Sequence, residues 1–186
     1  MPNLSLYTTT AFLILDTDGN RVLAKYYKPK GSPHAEQKGL STAKEQKTFE
    51  KGLYDKTKKA GGDIILYDGH LAVYKHSPDL IFYIIGNAEE NELMLSLALN
   101  SFHDALSVLL RNQVEKRAVL ENYDLVMLCL DETIDDGIIV ETDSTTIASR
   151  VSRPRADATD IVINEQTLMN AYQTVKEKMQ QRIQQL

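Results

Sequence analysis

The residue types that most often hold metal ions or act as nucleophiles are few and scattered in this chain. The histidines and the single cysteine are His34, His70, His76, His103 and Cys129. A structural zinc site needs several such side chains at close spacing, and no histidine here pairs with another or with Cys129 in that way. Cys129 lies in an apolar run, where a small buried thiol is the usual role. We therefore predict no metal site and no cofactor.

The densest group of carboxylates could do acid–base chemistry or hold Mg²⁺. It comprises Asp131, Glu132, Asp135 and Asp136. No histidine, serine nucleophile or phosphate-binding loop lies beside it in the sequence, and the chain lacks the common nucleotide-binding and hydrolase motifs. The cluster is more typical of the solvated end of a helix, or of a surface that docks onto a basic patch. The sequence therefore predicts a binding module with no catalytic residues.

Charge is distributed unevenly along the chain. The net charge is −5, but the segment from Arg21 to Lys59 has eleven basic residues and four acidic ones, so the remainder carries −12. Such segregation indicates an interaction surface, although a solvated lysine-rich helix face has the same composition. The negative total charge argues against nucleic acid as the partner.

The bulk composition is that of an ordinary globular domain. The chain has 186 residues, of which 42% are hydrophobic and 25% charged, enough for one domain with a real core. A single cysteine fits a reducing compartment. The N-terminus has no secretory pattern, and no apolar stretch approaches the ~20 residues that a membrane span needs. We expect an intracellular protein whose membrane contacts come through partners or surface charge.

The elements that must position any functional surface begin with a β-hairpin. Apolar and β-branched runs at 7–15 and 22–27 flank the turn Asp16-Thr17-Asp18-Gly19-Asn20, and Asp-Gly supplies the positive φ that such turns need. The segment 28–41 is predicted to be a loop. Thr42 and Glu45 then have the spacing of a capping box, which predicts a basic amphipathic helix.

The rest of the chain completes an α+β fold. We predict strands at 63–67, 70–75 and 80–86, a long helix from Asn91 to about Arg111, and helices at 114–121, at 124–135 with Gly137 as the stop, and after Asp143. The long helix is apolar nearly all round, which predicts central burial. The order ββαβββα excludes a parallel βαβ sheet and fits a five-stranded antiparallel sheet sandwiched by helices.

The sequence divides into three parts. We expect a core domain at 1–151, a linker at 152–163 and an additional C-terminal amphipathic helix at 164–186. The last helix has one narrow apolar stripe, formed by Leu168, Tyr172, Val175, Met179, Ile183 and Leu186. One stripe needs one covering surface, either on this chain or on a partner.

Several segments, in unbroken order, resemble the zeta-subunit family of coatomer. They include Ser5-Leu6-Tyr7-Thr8, Ile14-Leu15-Asp16, Ala24-Lys25-Tyr26-Tyr27, Glu90-Asn91-Glu92-Leu93-Met94-Leu95 and Val114-Glu115-Lys116-Arg117-Ala118. The resemblance implies a longin-like (SNARE-like) fold shared with the small subunits of clathrin adaptors. The last two segments favour zeta over the alternatives, a clathrin-type adaptor small subunit or another longin-domain trafficking or GTPase-regulating module. The loop at 28–41 is longer than this family leads us to expect.

The resemblance also implies a function. It implies a non-enzymatic subunit of the coat on vesicles that carry cargo from Golgi to endoplasmic reticulum and within the Golgi. It further implies pairing with the large gamma subunit, contact with other coatomer subunits, and recruitment to membranes through an Arf-type GTPase. The expected location is cytoplasmic, peripheral on Golgi membranes and coated vesicles.

Two sets of residues are site candidates. Aromatic residues often dominate partner interfaces, which makes Tyr26, Tyr27, Tyr74 and Tyr83 candidates, although packing in the core is an equal alternative.

The second set corresponds, by the resemblance, to the pocket where clathrin adaptor small subunits hold acidic dileucine signals. Its positions here are Leu80 and Phe82, which are apolar, and His103 and Gln113, which are polar. Because polar groups in an apolar pocket must be desolvated before it can be filled, we predict that this pocket no longer binds such signals.

Overall fold

A computed structural model describes residues 5–28, 40–59 and 62–152. Its elements, in chain order, are β1 (Ala11–Asp16), β2 (Arg21–Tyr26), α1 (Ala43–Thr57), β3 (Ile64–Tyr67), β4 (His70–His76), β5 (Leu80–Asn87), α2 (Glu92–Leu109), α3 (Lys116–Glu121), α4 (Tyr123–Thr133), β6 (Ile134–Asp135), β7 (Ile138–Ile139) and α5 (Ser144–Ser152). The predicted order ββαβββα is confirmed from β1 to α2, and β6 and β7 form a hairpin that was not predicted. None of the helices in the described residues is both long and apolar enough to cross a bilayer.

The five long strands form one antiparallel sheet in the order β2-β1-β5-β4-β3. The predicted β1–β2 hairpin is present, and Gly19 at its turn has a φ of +78°. Asp16 closes this turn because its carboxylate accepts hydrogen bonds from the backbone N–H groups of Asp18 and Asn20. The central strands β1 and β5 are buried along almost their whole length, as a sheet covered on both faces requires.

One face of the sheet is covered by α1. Thr42 and Glu45 form the predicted capping box, and the helix buries Phe49 and Leu53 against sheet residues such as Tyr83. Gly52 lies in the middle of this helix because the phenol of Tyr67 crosses it there: a Cβ at Gly52 would lie 1.9 Å from the Tyr67 hydroxyl. The helix is thus fixed against both the centre and the β3 edge of the sheet.

The other face of the sheet is covered by α2, with α4 and α5 packed against that helix. Asn91 caps α2 by accepting hydrogen bonds from the N–H groups of Leu93 and Met94. Phe102 is the centre of this layer, with its ring centroid 4.7 Å from that of Phe12 in an edge-to-face arrangement. Such pairs contribute about 0.5–1.5 kcal/mol beyond the area that they bury.

Two predictions about the second half of the chain need correction. The long helix is not centrally buried: α2 packs on the sheet by one side only and leaves Leu93, Leu97 and Val108 exposed. Gly137 does not end a helix that runs to residue 135, because α4 stops at Thr133 and β6 and β7 follow as a small hairpin. Gly137 supplies the positive φ of that turn, +86°.

The predicted C-terminal helix at 164–186 and all of the predicted linker except Ser152 lie outside the described residues, as does most of the loop at 28–41. Ser152 is the last residue of α5. The division into core, linker and helix stays a prediction.

Candidate partner-binding surfaces

Three of the four candidate interface tyrosines lie in the core. Tyr27, Tyr74 and Tyr83 are at most 4% exposed, and the Tyr83 hydroxyl lies 2.7 Å from that of Thr57. The alternative of core packing therefore describes these three. Only Tyr26 keeps some exposed surface, and its hydroxyl donates a hydrogen bond to the buried carboxylate of Glu50.

The structure brings together three of the four positions predicted to correspond to the dileucine pocket, but not as an open pocket. Leu80 and Phe82 have no exposed surface, and the His103 ring stands edge-on to Phe82 with 5.4 Å between centroids. Burial lowers the pKa of His103, and the Lys75 cation lowers it further despite the opposing effect of Asp104. A neutral imidazole therefore packs over Phe82. Gln113 is exposed in the turn after α2.

The acidic cluster is used in ion pairs at the surface. Asp131 pairs with Lys25 of β2, and Glu132 lies 3.4 Å from Arg150 of α5. Among the residues described, no group of three or more His, Cys, Asp or Glu side chains could hold a metal ion. Cys129 has no exposed surface, and burial raises the pKa of its thiol to about 12, which disfavours the reactive thiolate.

A partly buried ionic network joins the β1–β2 turn to α3. Lys116 donates a hydrogen bond of 2.9 Å to Asp16, whose side chain is only 4% exposed, and its backbone N–H donates to the Asp79 carboxylate. Burial alone would raise the pKa of Asp16, but the hydrogen bonds from Lys116, Asn20 and Asp18 outweigh it and lower that pKa to about 2. The network positions α3 without exposing any reactive group.

The basic character of the Arg21–Lys59 segment is concentrated on α1. Lys44, Lys47 and Lys51 lie along one side of the helix, and none of them has an ion-pair partner among the described residues. They border a groove of about 720 Å³ that also includes Thr48 and Tyr67. We call these three residues the lysine face.

Other basic residues near the lysine face are neutralised locally. Arg21 makes two hydrogen bonds to the carboxylate of Glu50, which is 3% exposed, and Lys58 pairs with Asp55. The Arg21–Glu50 pair fastens α1 to β2. Both a solvated helix face and an interaction surface remain consistent with the lysine face.

An apolar surface that the sequence analysis missed is on α2. Leu93, Leu97 and Val108 are 72%, 48% and 63% exposed; their positions place them on the side of the helix opposite Leu95, Phe102 and Leu106, which face the sheet. We call these three exposed residues the α2 stripe. The signal was present in the sequence: the helix is apolar nearly all round, and the sheet together with α4 and α5 covers only part of its circumference.

Comparison with known proteins gives a consistent family. The family model of the clathrin adaptor complex small chain matches residues 8–158. The chain is 42% identical over 190 residues to a coatomer subunit zeta of Saccharomyces cerevisiae, covering all of this chain and 99% of that one. It is 43% identical over 175 residues to a coatomer subunit zeta-1 of Homo sapiens, covering 94% and 92%.

The fold has a counterpart among structures of adaptor complexes. A chain in a homology model of the full-length AP-3 complex in a stretched open conformation matches with a TM-score of 0.58 and 17% identity, covering 91% of this chain and 98% of that one. At this identity the match shows a shared fold.

Proposed function

The chain belongs to the coatomer zeta-subunit family, within the clathrin adaptor complex small chains, and from this premise we propose that it pairs with the large gamma subunit as the small subunit of the coatomer vesicle coat. We propose that this coat carries protein cargo from Golgi to endoplasmic reticulum and within the Golgi. The chain would then lie in the cytoplasm, peripheral to Golgi membranes, and reach them through an Arf-type GTPase that contacts other subunits of the coat. Near-complete coverage at 42–43% identity supports it.

The observation that carries the pairing is the α2 stripe. Large exposed apolar patches on soluble domains mark interaction sites, and long-lived subunit interfaces are apolar and bury more than roughly 2,000 Å². Leu93 and Leu97 lie one helical turn apart, and Met94 beside them is 44% exposed. A helical repeat or trunk segment of the large subunit could lay an apolar ridge along this side of α2.

The lysine face lies on the opposite face of the sheet from the α2 stripe, because α1 and α2 pack on opposite faces. The α2 stripe and the lysine face are therefore separate surfaces of the domain. This arrangement suits a subunit that acts by binding partner proteins, and we propose that the chain has no catalytic activity.

We also propose that acidic dileucine signals are not bound at the corresponding pocket. Leu80 and Phe82 are completely covered, so a leucine side chain could reach Phe82 only if neighbouring side chains, including the His103 ring, moved away. Displacing that ring would break its contact with Phe82.

The pairing is tested by co-expressing the chain with the trunk of the gamma subunit and, separately, with the large subunits of clathrin adaptors. The proposal expects a stable one-to-one complex with the gamma trunk alone. A complex with a clathrin adaptor large subunit, and none with gamma, would show that the chain is a small subunit of a different coat.

A further inference from the structure

Among the described residues, the β3 strand forms an apolar edge of the sheet that no other strand covers. Its four residues are Ile64, Ile65, Leu66 and Tyr67, and none is charged. Ile64 and Leu66 are 46% and 64% exposed, and within residues 5–28, 40–59 and 62–152 no strand other than β4 pairs with β3. Natural proteins usually protect such edges with charges, bulges or a covering element.

The opposite edge of the same sheet has those protections. On β2, Arg21 is engaged with Glu50, Lys25 pairs with Asp131, and the register with β1 shifts between Ile14 and Leu15. Charged side chains and a bulge discourage strand addition at that edge. The contrast between the two edges indicates that β3 is left open for a partner.

The register of the β3–β4 hairpin shows which backbone groups are free. Tyr67 and His70 flank a two-residue turn with positive φ at Asp68 and Gly69, and such turns begin with a hydrogen-bonded pair. The backbone N–H of Tyr74 donates to the carbonyl of Asp63. Hydrogen-bonded pairs in this hairpin therefore involve the odd-numbered residues of the strand, Asp63, Ile65 and Tyr67. The N–H and C=O groups of Ile64 and Leu66 therefore point away from β4.

The exposed side chains of β3 lie on the α2 face of the sheet. Ile64 is opposite Val73 and Leu66 is opposite Leu71 in the register, and both β4 residues belong to the core beneath α2. Further along β4 on the same face, Lys75 donates a hydrogen bond to Asn100 of α2. Ile64 and Leu66 thus lie at the edge of the sheet face on which α2 packs.

Charge at the ends of β3 indicates what kind of strand would fit. Asp63 and Asp68 flank the strand, both are exposed, and neither has an ion-pair partner in the part of the chain that the structure describes. An incoming segment with apolar residues at alternate positions and basic residues at its ends would complement this edge.

We propose that β3 accepts an extended segment of the large partner subunit as a sixth strand, with main-chain hydrogen bonds to Ile64 and Leu66 and apolar contacts to their side chains. This inference rests on the proposed pairing and adds a second, strand-mediated contact to the α2 stripe. Strand addition of this kind combines backbone hydrogen bonds for affinity with alternate side chains for specificity.

Residue-resolved amide hydrogen exchange on the chain alone and in complex with the gamma trunk tests the proposal without a variant. We expect the Ile64 and Leu66 amides to exchange at least about tenfold more slowly in the complex, since hydrogen bonding protects amides from exchange. A stable complex in which these two amides exchange as fast as in the free chain would overturn strand addition and leave the pairing intact. Failure to form any complex would overturn both.

A pair of variants at one position separates the backbone contact from the side-chain contact. Leu66→Pro removes the outward N–H at an edge position where proline is tolerated, and Leu66→Thr removes the leucine but keeps the N–H. We expect the proline variant to bind gamma about three- to tenfold more weakly than the threonine variant, the value of one lost hydrogen bond. Equal affinities would contradict a main-chain contact at β3.

A second copy of this chain could also pair with the β3 edge, and it must be distinguished from a segment of the large subunit. Pairing of β3 with β3 would give a dimer of the isolated chain, with protection of the Ile64 and Leu66 amides that rises with protein concentration. We expect a monomer in sedimentation equilibrium, and a dimer abolished by Leu66→Pro would overturn the assignment of this edge to the large subunit.

Discussion

Replacing the two leucines of the α2 stripe by serine should weaken pairing with the large subunit while leaving the fold intact. Leu93 and Leu97 are 72% and 48% exposed, so neither supports the core strongly. Burying a whole leucine side chain contributes about 1.5–3 kcal/mol. Scaled by their exposed fractions, the two residues together contribute roughly 1.8–3.6 kcal/mol to a partner that covers them fully, which corresponds to roughly a 20- to 400-fold change in Kd.

Isothermal titration calorimetry of the Leu93→Ser/Leu97→Ser chain with the gamma trunk measures this change. The matched control is Arg117→Ser/Glu121→Ser, two substitutions one helical turn apart on α3 that remove an exposed ion pair. We expect the control to bind within about twofold of the unmodified chain, as surface changes away from an interface usually do.

Thermal melts followed by circular dichroism show whether both variants are folded. Wild-type affinity in the leucine variant would refute the reasoning, because the partner would then not bind through the α2 stripe.

Three further predictions concern stability and cargo. The carboxylate of Asp16 has a pKa of about 2, below its ordinary value of 3.8, so its stabilising effect is complete above about pH 4 and is lost as the pH falls towards 2. Asp16→Asn should therefore lower the free energy of unfolding at pH 7, measured with urea, by up to about 2 kcal/mol. An unchanged unfolding midpoint would contradict the role of its bond to Lys116. Gly52→Ala should lower the melting temperature although alanine favours helices by about 1 kcal/mol, because its Cβ would meet the Tyr67 hydroxyl; a higher melting temperature would show that the phenol moves freely. An acidic dileucine peptide should show no saturable binding in fluorescence anisotropy, and binding that Leu80→Ser abolishes would mean that the covered pocket opens.

Local sequence signals were sufficient for much of the fold. The turn at Gly19 needs a positive φ and the cap at Thr42 needs an oxygen acceptor next to free amides, so residue type at one or two positions specifies each structure. The antiparallel sheet followed from the order of the elements. These features depend on neighbours in sequence, which is why they could be predicted without the structure.

Features that depend on long-range packing could not be predicted in this way. A tyrosine that serves the core and one that serves an interface have the same local pattern, and only the packing of α1 and α2 on the sheet shows that Tyr74 and Tyr83 are covered. The bond between Lys116 and Asp16 spans 100 residues and leaves no periodic signal. The exposure of Ile64 likewise depends on β3 being the outermost strand.

The central claim is that this chain is the gamma-binding small subunit of a coatomer coat, and the most direct test is its melting temperature with and without the gamma trunk. With gamma at about 100 times its Kd, binding stabilises the folded chain by about 2.7 kcal/mol, which for a domain of this size raises the melting temperature by about 5–10 °C. We predict a rise of that size, larger at higher gamma concentration. A melting temperature that gamma does not change at any concentration would contradict the claim.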